Sequence, residues 1–88
     1  MAWKIQFEPR ALKELEKLDR SAQQRILRFL KREIAPTNDP REKGKALTGE
    51  LAGLWRYRVG EYRLICDIRD EVLIILILRV AHRKDIYR

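Results

Sequence analysis

Three arginines set close together open the chemical reading. Arg56, Arg58 and Arg63 lie in the run Leu54-Trp55-Arg56-Tyr57-Arg58-Val59-Gly60-Glu61-Tyr62-Arg63-Leu64-Ile65. Gly60-Glu61 fits a two-residue hairpin turn with glycine first. That turn sets Val59 opposite Tyr62, Arg58 opposite Arg63 and Arg56 opposite Ile65. Trp55, Tyr57, Val59, Tyr62, Leu64 and Cys66 then share one face, which reads as core. Arg56, Arg58 and Arg63 share the other. Like charges placed directly opposite one another are destabilising, although on a wet surface the cost is small and screened. A solvated basic face and an anion site both fit this pattern. Three arginines on one hairpin face, in a chain of net charge +7, favour the anion site. Arginine suits phosphate because its planar fork bonds two oxygens at once and stays charged.

The end of the chain, His82-Arg83-Lys84-Asp85-Ile86-Tyr87-Arg88, adds the only histidine, further cations and a tyrosine. His82 alone reads equally as a surface residue or a proton carrier. The sequence has no glycine-rich phosphate loop before a helix, no HExxH and no CxxC. Nor does it pair carboxylates as a metal-dependent nuclease does. Cys66 and His82 together are too few for a structural zinc site, and no metal or cofactor is expected. The chemistry left to this residue set is metal-free phosphoryl transfer. In RNA the 2′-OH can attack its own 3′ phosphate. A protein then needs to align the attack, neutralise the growing negative charge and manage two protons. Arginines serve the second need, and a tyrosine or histidine the third.

The elements that must position these residues follow from periodicity. Trp3, Ile5 and Phe7 alternate with Lys4 and Gln6, which predicts a half-buried strand. Pro9 suits the first turn of a helix, and Ala11, Leu12, Leu15 and Leu18 follow at helical spacing. Asp19 or Ser21 can cap a second helix. Its stripe is Ala22, Ile26, Phe29 or Leu30, and Ile34, and Pro36 ends it. The two helices are expected to form an antiparallel hairpin. Residues 36–53 read as loop. Strands are predicted over Leu54–Val59, Tyr62–Arg69 and Val72–Ala81. The last is apolar on both faces through Leu78, so it belongs inside the sheet, between the Tyr62–Arg69 strand and the first strand. The predicted fold is α+β: a small antiparallel or mixed four-stranded sheet packed on an N-terminal helical hairpin, in the order β-α-α-β-β-β.

Length and composition agree with this. Eighty-eight residues suit a single domain, residues 1–88, with a thin core. At 45 % hydrophobic, the chain is too apolar for a disordered basic tail. The net charge of +7 points to a polyanionic partner. The longest apolar run, Val72 to Leu78, has seven residues and cannot span a bilayer. No signal-peptide run appears at the start, and one cysteine allows no internal disulfide. A reduced, cytoplasmic location is expected.

These residues carry a family resemblance. The segment from Gly44-Lys45-Ala46-Leu47-Thr48-Gly49 through Leu54 to Ile65 resembles the RelE/ParE superfamily of bacterial toxins, on the RelE side. So do Val80-Ala81-His82-Arg83-Lys84-Asp85-Ile86-Tyr87 and, less specifically, Ala11 to Asp19. The resemblance implies a RelE-like fold and a ribosome-dependent mRNA endonuclease of a type II toxin–antitoxin system. Such toxins enter the ribosomal A site and cut the codon by attack of the 2′-OH, leaving a 2′,3′-cyclic phosphate and a 5′-OH. It also implies a partner, a co-encoded RelB-like antitoxin, besides the ribosome and mRNA. By position, Arg56 and Arg58 match the two basic positions of the family's central strand, and Arg63 the following arginine. Arg83 matches the arginine after the last strand, and Tyr87 the terminal tyrosine. Arg63 and Arg83 are then assigned to the scissile phosphate and leaving oxygen. Tyr87 is the base or an orienting residue, and Arg56 and Arg58 stabilise charge and hold the RNA. The family's central strand carries lysines where this chain carries Arg56 and Arg58. Arginine keeps the charge but is a poor proton carrier, which leaves that role open to His82.

Lys43, Lys45, Lys13 and Lys17 are candidate contacts to ribosomal RNA, or simply solvated lysines. Two other functions stay open on the same fold. One is a ParE-like inhibitor of DNA gyrase, and the other is a basic RNA-binding module without catalysis. ParE-like members tend to lack the full set of cations and tyrosine that this chain has.

Overall fold

The computed structural model describes residues 2–87. Strand β1 (Lys4–Phe7) exposes Lys4 and Gln6 and packs Ile5 and Phe7 against the core, as the alternation predicts. Helix α1 (Pro9–Glu16) begins at the proline, whose missing N–H needs no partner in a first turn, and buries Ala11 and Leu15. Helix α2 (Arg20–Phe29) is capped by Asp19, whose carboxylate accepts the Ala22 N–H at 2.7 Å. It runs on through a wider π-turn, Leu30–Ile34, closed by a bond from the Ala35 N–H to the Leu30 carbonyl at 2.8 Å. Leu30 and Ile34 both stay buried there.

The remaining strands are β2 (Lys45–Ala46), β3 (Trp55–Val59), β4 (Tyr62–Arg69) and β5 (Ile74–His82). They form one sheet in the order β1-β5-β4-β3-β2. β1 runs parallel to β5, and the other neighbours are antiparallel. The two-faced apolar strand β5 thus sits between β1 and β4, where its composition puts it. The sheet has five strands rather than four, because Lys45 and Ala46 pair with Arg56 and Trp55 inside the stretch read as loop. Two residues are too few to show a strand period. Gly44 makes this pairing possible. A Cβ there would stand 2.9 Å from the Arg56 carbonyl oxygen and 3.0 Å from the Tyr57 ring.

The last strand starts at Ile74 rather than Val72. Asp70–Val72 instead form a 3-10 turn, and Leu73 adopts the left-handed region at φ 54° and ψ 47°. That conformation is uncommon for a residue with a side chain. Here it aims the Leu73 carbonyl at the Lys4 N–H, 2.8 Å away, while the Leu73 side chain packs on the core.

Both helices cover one face of the sheet, α1 against β5 and α2 against β3. The core between them joins Ala11, Leu15, Ile26, Leu30 and Ile34 to Tyr57, Leu64, Ile75 and Ile77. Tyr57 is fully buried and donates its hydroxyl to the Pro40 carbonyl at 2.9 Å. Its ring meets Phe29 edge-on at 5.8 Å. Burial also pushes the Cys66 thiol up to about 12. Between Ile65 and Cys66 the β4–β5 register slips by one residue: Ile65 pairs with Arg79 and Cys66 with Ile77. Leu78 is the extra residue. The bulge lets Val80 and Ile77 both face the core while Arg79 and Ala81 share the second face with Ile65 and Arg63.

Candidate active site

The β3–β4 hairpin is the frame of the site. Gly60 has φ 60°, as the first position of its turn requires. Arg58 pairs with Arg63, Arg56 with Ile65 and Val59 with Tyr62, the predicted register. Tyr57, Val59, Leu64 and Cys66 are buried on the helix side. The second face carries Arg56, Arg58 and Arg63, and β2 sets Lys45 opposite Arg56, a second pair of like charges. Arg63 is held in place, its guanidinium donating to the Gly60 and Tyr62 carbonyls at 2.9 Å each. Desolvation holds its pKa below the usual arginine range, and the positive charges of Arg58, Arg56 and Arg83 lower it further, against Glu61. Four guanidinium groups therefore share one electrostatic field, and all remain charged.

The C-terminal turn closes over this face. The Arg83 N–H bonds the Glu61 carbonyl at 2.8 Å, and Arg83 Nε meets Glu61 Oε2 at 2.9 Å. The Asp85 N–H returns to the His82 carbonyl at 2.8 Å. Ile86 then drops into the second face and is 2 % exposed. Tyr87 stays 57 % exposed, and its hydroxyl accepts a bond from Arg56 at 3.2 Å. His82 Nδ1 accepts the Lys84 N–H at 3.2 Å. The neutral ring therefore carries its proton on Nε2, which lies 3.8 Å from Glu61 Oε2. The edge of Tyr62 fixes the ring plane, with centroids 6.0 Å apart.

All six candidate residues, Arg56, Arg58, Arg63, His82, Arg83 and Tyr87, are thus linked through the hairpin and the C-terminal turn. Lys45 joins them beside Arg56. Lys43 ends the turn Pro40–Lys43 and is exposed. Lys13 and Lys17 line a separate depression on α1 that includes none of the six.

Three contributors had no clear mark in the sequence. Glu61 lies in the hairpin turn and balances Arg83 and His82. Glu14 and Arg79 lie 65 residues apart, and Arg79 Nε bonds the Glu14 carboxylate at 3.0 Å. The same carboxylate accepts the Val80 N–H at 2.9 Å, which β1 leaves unpaired by ending at Phe7 opposite Ile77. Arg79 also donates to the Ile86 carbonyl at 3.3 Å, tying the C-terminal turn down. Only Ile86, a lone apolar residue among charged ones, hinted at such an anchor.

Beside Tyr87 lies a cavity of about 690 Å3, walled by Leu47, Leu54, Ile65 and Ile86. Among the described residues no group of three His, Cys, Asp or Glu side chains is placed to hold a metal ion. What the arrangement offers is dense fixed positive charge, a phenol, an imidazole with a defined tautomer, and an adjoining apolar recess.

Comparison with known proteins gives this arrangement a context. Residues 5–87 match the family described as the ParE toxin of the type II toxin–antitoxin system parDE. The chain is 38 % identical to Toxin RelG of Mycobacterium tuberculosis over 88 residues, covering 100 % of this chain and 99 % of that protein. It also resembles the crystal structure of the toxin–antitoxin complex RelBE2 from Mycobacterium tuberculosis. The TM-score there is 0.86 at 34 % identity, over 94 % of this chain and 100 % of that one. The archaeal RelE–RelB complex from Pyrococcus horikoshii OT3 gives a TM-score of 0.68 at 29 % identity, covering 97 % and 99 % of the two chains.

Proposed function

The chain belongs to the RelE/ParE superfamily of toxins of type II toxin–antitoxin systems, and from that premise we propose that it is a ribosome-dependent, metal-independent mRNA endonuclease. The observation that carries the reading is the convergence of Arg56, Arg58, Arg63 and Arg83 on one face beside Tyr87 and His82.

In the proposed reaction the 2′-oxygen of one nucleotide bonds to its own 3′ phosphorus, and the bond from phosphorus to the next nucleotide's 5′-oxygen breaks. The products are a 2′,3′-cyclic phosphate and a 5′-OH. Tyr87, its oxygen held by Arg56, takes the 2′-OH proton. His82 Nε2 delivers a proton to the leaving 5′-oxygen. Arg63 and Arg83 bind the scissile phosphate, with Arg83 exchanging the Glu61 carboxylate for the phosphate. Arg56 and Arg58 offset the charge that grows on the phosphorane, the largest single contribution available to such a site. The recess by Tyr87 receives a base beside the cut. Lys43, Lys45, Lys13 and Lys17 add contacts to ribosomal RNA. We further propose that residues 1–88 act as one domain in the cytoplasm, where translation occurs, and that a RelB-like antitoxin covers the toxin. Solved relatives were captured as toxin–antitoxin complexes. Among the described residues no helix is long and apolar enough to cross a membrane.

The family description itself favours a second reading, inhibition of DNA gyrase. Gyrase inhibition gives no proton-transfer role to Tyr87 or His82. The deciding experiment adds the protein to a purified translation system and maps mRNA 5′ ends, with a gyrase–DNA cleavage assay in parallel. In-frame cuts that need ribosomes are expected. Gyrase-dependent DNA breaks without mRNA cuts would overturn the nuclease reading, and RNA binding without either would leave a non-catalytic module.

A further inference from the structure

The arginines of this protein divide into two groups. Arg10, Arg41, Arg69, Arg79 and Arg83 each lie within 4.0 Å of a carboxylate. Arg25, Arg28, Arg32 and Arg58 have no ion pair or side-chain hydrogen bond among the described residues, yet all four line one groove of about 350 Å3. The groove runs between α2 with its π-turn and the outer end of β3. Arg25, Arg28 and Arg32 follow at i, i+3 and i+7, one face of the helical segment. Arg28 and Arg32 form a like-charge pair at a spacing that destabilises a helix. All four are exposed, and the groove's one acidic neighbour, Glu33, pairs with none of them within 4.0 Å. Arg25 also lies across the hairpin turn: a Cβ on Gly60 would stand 2.6 Å from its guanidinium. Phe29, half-buried and braced edge-on by Tyr57, gives the groove an aromatic floor.

We propose that this groove is a second RNA site, a track for backbone phosphates that leads into the candidate active site. It rests on the RNA reading of that site and extends it. Arg58 is the junction, since it lines the groove and also acts electrostatically on Arg63 across the hairpin. At 1.5 Å of rise per residue, Arg25 to Arg32 span about 10 Å. A stacked strand carries a phosphate roughly every 3.4 Å, so about three phosphates fit along the ladder. Arginine forks match phosphate better than they match isolated carboxylates on a flexible peptide, and bases or sugars can rest on an aromatic floor. The RNA bound here is held by its backbone, without sequence preference.

The test measures binding of the full chain to a fluorescent 20-nucleotide 2′-O-methyl RNA, which has no attacking hydroxyl and cannot be cut. Affinity is followed from about 0.05 to 0.5 M salt. The Arg25→Gln/Arg28→Gln/Arg32→Gln variant should lower the slope of log affinity against log salt by about two, at roughly 0.7 per phosphate contact on a single strand. Lysine at all three positions should restore most of the slope. A control of equal charge, Lys4→Gln/Arg41→Gln/Arg69→Gln, should change it by less than one. An unchanged slope in the groove variant overturns the proposal, as does an equal loss in the control. So does a groove variant that loses binding to a 20-residue oligo-glutamate while keeping RNA, which would assign the groove to an acidic protein. Cleavage is not the readout, so loss of the nuclease reading with this slope change intact remains a distinguishable result.

Discussion

Replacing Arg79 by methionine keeps much of its apolar volume and removes its guanidinium. The structure shows what is lost: two contacts to Glu14, at 3.0 and 3.2 Å, and one to the Ile86 carbonyl at 3.3 Å. The side chains of Arg79 and Glu14 are only 17 % and 22 % exposed, so water replaces these bonds poorly. Glu14 keeps the Val80 N–H but loses its counter-charge. Hydrogen bonds to a charged group contribute about 1.5–3 kcal/mol each set when one partner is removed. We take about 2 kcal/mol for the pair, because the residual exposure allows some rehydration. In a domain of this size that corresponds to roughly 8–16 °C in Tm. The effect should also reach the site. With its carbonyl bond gone, Ile86 holds the C-terminal turn less firmly, and Tyr87 loses its register with Arg56. Thermal melts of Arg79→Met, Glu14→Gln and the double variant check the stability part. The double variant should be barely less stable than either single one, since both act on one pair. Single variants that melt within about 2 °C of the parent and add independently would refute this account of the C-terminal anchor.

Other changes probe the site more directly. Arg83→Ala should lower cleavage by about two to three orders of magnitude, the scale of removing one transition-state charge donor, in a ribosome-based assay; near-parental cleavage would remove Arg83 from the phosphate site. Glu61→Gln should act in the opposite direction, since it frees Arg83 from an exposed carboxylate. An RNA-binding titration should show affinity rising by no more than about five-fold. Alkaline stability should follow Cys66, whose thiol burial pushes up to about 12 from an ordinary 9.0. Above pH 9 the unfolded thiol ionises while the folded one stays protonated, so stability falls as pH rises, by about 1.4 kcal/mol per pH unit from this group. Tyr57, raised first by burial, adds to the decline above its ordinary 10.0. Urea midpoints between pH 8 and 11 should fall less steeply for Cys66→Ala, and parallel curves would contradict the assignment.

The parts of this fold that were legible in the sequence are those with a local period or a turn that fixes register. Gly60-Glu61 set the hairpin, and the hairpin put Arg58 opposite Arg63. The two-faced apolarity of residues 74–78 placed β5 inside the sheet. The parts that stayed hidden depend on contacts between distant segments. β2 is two residues long and exists because Gly44 allows a close approach to β3. The bulge at Leu78 leaves no trace in an unbroken apolar run, yet it decides that Arg79 faces the C-terminal turn. Glu14 reads as a wet-face helix residue until the free Val80 N–H is seen beside it. Arg25, Arg28 and Arg32 read as an ordinary solvated helix face. Only the structure shows that they share a groove with Arg58 and lack counter-ions.

The central claim is that fixed positive charge lets an RNA hydroxyl cut its own chain, and the chemistry of the cut ends tests it most directly. An mRNA cleaved in a purified translation system should yield a downstream fragment that polynucleotide kinase labels without prior phosphatase treatment. The upstream fragment should end in a 2′,3′-cyclic phosphate, and a single 2′-deoxy substitution at the cleaved nucleotide should abolish the cut. A 5′-phosphate on the downstream fragment, or undiminished cutting of the 2′-deoxy message, would contradict the account.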